Sequence, residues 1–349
     1  MNSIGKNLVL TSFGESHNVA VGGVLDGFPA NFVIDFQQIN KELERRKTGK
    51  QPFSSQRTEN DEVMFLSGIF EGKTTGAPIA FIIKNNDAKS SDYEQLKDIF
   101  RPGHADFTYQ QKYGIRDYRG GGRVSARETA VRVVAGALAK QFLLTKGITI
   151  FSYISQIGKV IENRHYTEIN FDKIDQNPIF TPNENTAKLM LQEIEKAQKN
   201  GDSVGGVITC VIRGVGVGVG EPIFGKLQAN LAFAMMSIPA AKGFDYGCGF
   251  DVAKMLGSEH NDVFITENQI IKTKTNNCGG LLGGISTGSD IYFRVAFKPT
   301  SSISQSQQTV DIQGNNRTIE IHGRHDICIV PRALAVVEAM AAITILDNY

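Results

Sequence analysis

Helical and strand-like patterns follow one another along this chain without regular alternation, and that order constrains the fold more than any other feature. An amphipathic helix is predicted over about 35–47, where Asp35 and Gln38 form a capping-box pattern and Phe36, Ile39 and Leu43 recur at helical spacing. Strands are predicted at 62–66 and 80–83, with a polar loop between Asn85 and Leu96. The clearest helix, 125–146, opens with Ser125-Ala126-Arg127-Glu128, a second capping box with Ser125 as N-cap, and sets Val131, Val134 and Leu138 on one stripe. Another helix spans 184–200 and stops at Gly201, in place for a C′ glycine. A strand over 204–213, a helix over 227–238, a strand over 291–297 and a helix over 331–346 with proline in its first turn complete the series. No GxGxxG follows a strand, so neither a Rossmann nor a barrel fold is supported, and the mixed order predicts an α+β protein of layered sheets and helices. At about 150 residues per domain the length would allow two domains, but the polar 301–318 stretch reads as a surface loop rather than a linker. Residues 1–349 are therefore read as one domain.

Glycine placement adds a second constraint. Of 36 glycines, 16 lie between 205 and 288, and from Gly214 to Gly220 every second residue is glycine. In a strand that would bare one face for close packing, of which another backbone is one candidate. Basic and acidic residues nearly cancel, 37 against 36, so bulk attraction to nucleic acid or anionic membrane is not expected. The four cysteines, at 210, 248, 278 and 328, form no CxxC pair and read as free thiols. The amino terminus lacks the apolar run of a signal peptide and no segment has the apolar length of a membrane span, so the expected location is cytoplasmic.

Chemistry concentrates in three places. Six of the fifteen arginines fall between 101 and 132 beside only three carboxylates. Arg119-Gly-Gly-Gly-Arg123 runs straight into the Ser125 helix start, joining approachable backbone amides, a helix dipole and guanidinium groups, a combination suited to an anion. A flexible surface loop or an RNA-binding Gly/Arg tract are the competing readings of the same residues. His17, in Glu15-Ser16-His17, and His104, in Arg101-Pro-Gly-His104-Ala-Asp106, stand in polar turns where an imidazole can act as acid or base, whereas His165 and His260 read as structural. No HxH or HExxH spacing occurs, and no metal site is expected. The third place is the glycine-rich 277–288 segment, followed by Lys298-Pro-Thr-Ser-Ser302; it suits a phosphate-bearing cofactor without matching a P-loop.

Taken together, these segments resemble the chorismate synthase family. The matching stretches are FGESH (13–17), VLDGFP (24–29), SGIFEGKTTGAPI (67–79), RPGHADFTYQQKYGIRDYRGGGRVSARETAVRV (101–133), SIPAAKGFDYGCGF (237–250), GGLLGGISTG (279–288), FKPTSSI (297–303) and GRHDICIVPRA (323–333), in family order from end to end. The resemblance implies a layered β-α-β sandwich and a homotetramer. It implies anti-1,4-elimination of phosphate and a ring hydrogen from 5-enolpyruvylshikimate-3-phosphate to give chorismate, with reduced FMN required but no net redox change. NADPH is then a candidate reductant for the flavin. It further implies His17 acting on the leaving phosphate, His104 beside the flavin and Asp326 handling a proton. Ser16, Arg46, Arg127 and Arg324 are implied as substrate contacts. Arg123, Val124, Ser125, Pro239, Ala240, Gly283, Lys298, Pro299, Thr300, Ser301, Ser302 and again Arg324 are implied as flavin contacts.

Two positions depart from the family pattern. An arginine that many members carry after the Arg45-Arg46 helix is replaced by Pro52, with Lys50 nearby, and a flavin-contacting Asn-Ala or Gln-Ala pair is Pro239-Ala240 here. The sequence alone also admits an FMN-dependent oxidoreductase or flavin reductase, and a non-catalytic phosphate- or RNA-binding protein.

Overall fold

The computed structural model describes residues 1–47, 53, 60–86, 90–321 and 325–349. Its helices, among the described residues, are α1 (Phe36–Arg46), α2 (Asp106–Tyr113), α3 (Thr129–Thr145), α4 (Glu184–Lys199), α5 (Leu227–Met236), the single turn α6 (Gly257–His260) and α7 (Val330–Asn348). One antiparallel sheet has the strand order Ser3–Ile4, Val9–Gly14, Ala20–Asp26, Ile79–Lys84, Val63–Phe65. A second runs Ala241–Tyr246, Ile291–Phe297, Gly206–Arg213, Thr149–Ile157, Val160–Ile161. Helix α3 packs on the first sheet, α7 packs on the second, and the two helices pack on each other, so the sheets enclose a helical interior as the layered α+β expectation requires. The reason lies in the residues of α7: nearly every side chain from Val330 to Ile345 is buried, and a helix apolar all round can only be central. Small residues bring the pair together, since a Cβ added to Gly136 of α3 would lie 2.3 Å from the Ala339 Cβ of α7. No described helix is long and apolar enough to cross a membrane.

Tertiary contacts rewrite both capping boxes. Asp35 accepts from the backbone of Gln37 and Gln38 at 2.9 and 3.1 Å, but Gln38 turns to Glu42, and the amide of Asp35 donates instead to Gln141 of α3 at 2.8 Å. Ser125 accepts from the Arg127 amide at 3.3 Å, at the head of a 3-10 turn over Ala126–Glu128. Glu128 is drawn off to the Ser12 hydroxyl at 2.9 Å and to Arg132 at 2.8 Å, and the α-helix proper starts at Thr129.

Two expectations are corrected. The 301–318 stretch contains a hairpin, Gln307–Val310 with Asn316–Ile319, whose turn is tied by the Asp311 carboxylate accepting from the Gln313 and Asn315 amides. Both strands are mainly polar, so no alternation announces them. The glycines at 214, 218 and 220 have φ of +83°, +103° and +102°, which is not strand geometry. Close backbone approach does occur at two of them, where a Cβ would lie 2.2 Å from the Gly147 carbonyl oxygen or 2.5 Å from that of Gly284, while Gly216 and Gly218 meet nothing.

Candidate active site

A cavity of about 450 Å³ opens where the carboxyl-terminal part of the second sheet meets the leading ends of α3 and α7. Most of its lining comes from five separated stretches, Arg101–Asp106, Gly120–Ala126, Ile238–Ala240, Lys298–Ser302 and Asp326–Val336, to which Arg46, Tyr93, Tyr109, Arg116, Asp117 and Thr129 add. The first and fourth are locked to each other. With φ of +69°, Gly103 turns the chain so tightly against Ser301 that a Cβ there would lie 2.6 Å from the Ser301 hydroxyl. The Gly103 carbonyl accepts from Lys298 Nζ at 3.0 Å and Ser301 Oγ at 2.9 Å, and Lys298 also contacts Ser301.

His104 completes this joint. Its Nδ1 donates to the Pro102 carbonyl at 3.0 Å, which leaves Nε2 as the acceptor for the Ser302 hydroxyl, also at 3.0 Å. Burial, reinforced by the nearby Arg101 guanidinium, lowers the imidazole pKa to about 4, so the ring is neutral at pH 7. Burial also lowers the Lys298 ammonium, with Lys242 adding to the effect.

The arginine cluster read from the sequence divides because its guanidiniums find several different acceptors. Arg101 forms a two-pronged pair with Asp106 at 2.7 and 2.8 Å and reaches the Gly120 carbonyl at 3.0 Å; Arg116 shares Asp106 at 3.0 Å. Both line the cavity. Arg119 pairs with Asp117. Arg123 turns away to the backbone and hydroxyl of Ser12 at 2.8 and 2.6 Å, and Arg132 bridges Glu128 and Ser237. Arg127 is buried below the cavity, held by Asp61, the Asn85 side chain at 2.8 Å and the Lys84 carbonyl at 3.0 Å. Arg46 lines the cavity and is paired with the other oxygen of Asp61 at 2.7 Å.

His17 sits just behind the wall. Its Nδ1 is 2.9 Å from the Ser16 hydroxyl, Tyr93 meets its ring edge-on at 5.1 Å, and a Cβ on Gly120 would lie 2.3 Å from its Cε1. Tyr93 and Gly120 both face the cavity. Asp326 lines it as well, ion-paired to Arg332, whose Nε donates to the Arg46 carbonyl at 3.2 Å. Val124, Ser125, Pro239, Ala240 and the whole run Lys298, Pro299, Thr300, Ser301 and Ser302 are on the lining. Ala240, in the left-handed region at φ +68°, accepts from the Lys298 amide at 3.0 Å, which brings the Pro239-Ala240 departure into the same wall. Gly283 is elsewhere, in the turn after Leu282, on a cleft shared with Tyr246 and Phe250. Arg324, Lys50 and Pro52 lie outside the described residues.

The lining suits a flavin phosphate or ring. It combines apolar Val124, Ile238, Ile329 and Val336 with an ammonium, hydroxyls and His104. Thr300 Oγ1 is buried there with no hydrogen-bond partner, a donor left for a ligand oxygen. Sequence reasoning missed Tyr93, Asp61 and Arg332. Arg332 lies in the GRHDICIVPRA stretch, six residues after Asp326, a spacing that does not by itself announce an ion pair; Asp61 and Tyr93 sit in ordinary polar surroundings and carried no signal.

The family model described as chorismate synthase matches residues 8–349. The chain is 55% identical over 348 residues to chorismate synthase of Phocaeicola vulgatus, covering 100% of this chain and 97% of that one. It is 53% identical over 348 residues to that of Christiangramia forsetii, with the same coverage of 100% and 97%. A solved structure described as the crystal structure of chorismate synthase superimposes with a TM-score of 0.80 at 31% identity, covering 99% of this chain and 92% of that chain.

Proposed function

We infer the function from one premise: the chain belongs to the chorismate synthase family. It is a carbon–oxygen lyase of the shikimate pathway, eliminating phosphate and a ring hydrogen from 5-enolpyruvylshikimate-3-phosphate in the anti-1,4 sense to give chorismate. The observation that carries the site is the convergence of four family-like stretches, 101–133, 237–250, 297–303 and 323–333, on one cavity.

That substrate brings a phosphate and two carboxylates. The cavity answers with Arg46, Arg101, Arg116, Arg332 and Lys298 against Asp106, Asp117 and Asp326, an excess of positive charge suited to a polyanion. Guanidiniums already oriented by ion pairs cost little further reorganisation when an anion arrives. His17, held by Ser16 next to the glycine turn, is the group we assign to protonating the departing phosphate. His104, fixed as the neutral Nδ1–H tautomer, aligns Ser302 and offers no competing positive charge. Asp326, oriented by Arg332, is assigned the proton from the ring. A reduced flavin bound here would supply an electron transiently and recover it, in keeping with a reaction of no net redox change. FMN would be held by Val124, Ser125, Pro239, Ala240 and Lys298 to Ser302, with Thr300 donating to one of its oxygens. NADPH as its reductant is part of the same reading.

A homotetramer is supported by large apolar side chains left exposed, including Phe224, Phe250, Phe264 and Ile271. Gly283 shares a cleft with Phe250 and is not on the lining of the cavity. One domain over 1–349 is supported by a main hydrophobic cluster drawing on both sheets and on α1, α3 and α7.

The test is chorismate formation measured anaerobically with chemically reduced FMN, with and without NADPH. Product is expected with reduced FMN alone; no product under any reducing condition overturns the reading.

A further inference from the structure

Asp61 holds the most enclosed carboxylate near the cavity. Its side chain is 1% exposed, and its two oxygens are divided between two guanidiniums that are each 4% exposed, those of Arg46 and Arg127. Only one of these three, Arg46, reaches the cavity. Burial pushes the Asp61 carboxyl up, but the two arginines outweigh it and hold the group below the usual carboxylate range. Its backbone adopts φ +49°, a left-handed conformation that Asp takes up more readily than most residues with a side chain.

Two roles fit a carboxylate between two cations: a placeholder displaced by the substrate's anion, or a fixed support. The surroundings favour the second. Arg127 is anchored at each nitrogen, through Asn85, Lys84 and Asp61, to the edge where the Ile79–Lys84 strand ends. Arg46 is held from its other side by the Ala126 carbonyl and Thr129 hydroxyl, each at 3.4 Å. Asp61 lies beneath both, without access to solvent through which it could withdraw. One carboxylate against two guanidiniums also leaves a net positive charge for a ligand.

We propose that Asp61 is a positioning residue: with Arg127 as its anchor, it aims the Arg46 guanidinium into the cavity to receive an acidic group of the substrate. The assignment rests on the reading of the cavity as the substrate site. A carboxylate that fixes a binding cation acts on substrate affinity more than on the chemical step.

The experiment compares wild type, Asp61→Asn, Asp61→Glu, Arg46→Lys and the Asp61→Asn/Arg46→Lys double variant in steady-state turnover of 5-enolpyruvylshikimate-3-phosphate with reduced FMN, alongside FMN binding by fluorescence. Asp61→Asn should raise KM about 10-fold or more with a much smaller change in kcat and unchanged FMN affinity. Asp61→Glu should recover part of the loss, and Asp61→Asn should add little in the Arg46→Lys background, because both act through one guanidinium. A lower KM in Asp61→Asn would identify a displaceable placeholder, and an unchanged KM or additive effects would identify a purely structural carboxylate; each overturns the proposal. If Asp61→Asn does not fold, Asp61→Glu decides by its KM-to-kcat split: a KM rise with kcat held supports the role, and no such rise sinks it. Wild-type protein that forms no chorismate sinks the functional reading instead.

Discussion

Replacing His104 by Gln should flatten the pH dependence of stability. In the folded chain burial, with Arg101 beside it, lowers this imidazole from its ordinary 6.5 to about 4. Between those values the unfolded chain binds a proton that the folded chain refuses, so stability falls as pH drops. The contribution is intact above about pH 6.5, and its loss is complete near pH 4. A shift of this size corresponds to about 3 kcal/mol, of which about 2 kcal/mol is lost by pH 5. His325, lowered chiefly by burial, adds in the same direction, while the depressed Asp61 and Asp106 carboxyls act below their ordinary value of 3.8. All three are common to wild type and variant, so the difference between the two isolates His104. Urea unfolding of flavin-free wild type and His104→Gln at pH 7, 6 and 5 should show curves that converge by about 2 kcal/mol on acidification. Nitrogen NMR of the ring should report a proton on Nδ1 and no titration near pH 6.5. Parallel stability curves, or a ring that titrates at its ordinary value, would falsify the argument that burial and Arg101 keep it neutral.

Other expectations can be checked on the same protein. His17→Ala should lower turnover by about 100-fold or more while FMN still binds, as measured by fluorescence quenching; near-normal turnover would mark it as structural. Gly120→Ala should lower turnover at least about tenfold as well, because Gly120 has φ +90° and its new Cβ would lie 2.3 Å from the His17 ring. Gly136→Ala, placing a methyl 2.3 Å from the Ala339 Cβ, should cost about 1–3 kcal/mol by separating α3 from α7, read as a lower urea midpoint. Glu338→Ala should cost about 3–5 kcal/mol, since Arg45 and Lys140 each approach that buried carboxylate at 2.7 Å and would lose it together.

Helices were largely legible because their signals are local. Periodicity and caps placed α1, α4 and α5 within a few residues, and the long apolar run marked α7. The first sheet was less so: its opening strands, Val9–Gly14 and Ala20–Asp26, mix serine, threonine and glycine with apolar residues. Gly23 there makes room for the Val131 side chain, an arrangement that depends on a helix more than a hundred residues away. The site was legible as motifs and less so as partners. Lys298 to Ser302 and the Arg-Pro-Gly-His turn were each recognisable, but their mutual lock through the Gly103 carbonyl was not.

The amino-acid order by itself determined the α+β class, the bounds of most long helices to within a few residues, and the segments that carry chemistry, because those depend on residues within a turn or two of each other. Tertiary structure decided which cations face the cavity. Six arginines close in sequence went to five acceptors, Asp106 (shared by Arg101 and Arg116), Asp117, Ser12, Asp61 and Glu128, because a guanidinium settles wherever folding brings a carboxylate or carbonyl within hydrogen-bond reach. That choice placed Arg101 and Arg116 on the wall, Arg127 beneath it and Arg46, from a different helix, in its place.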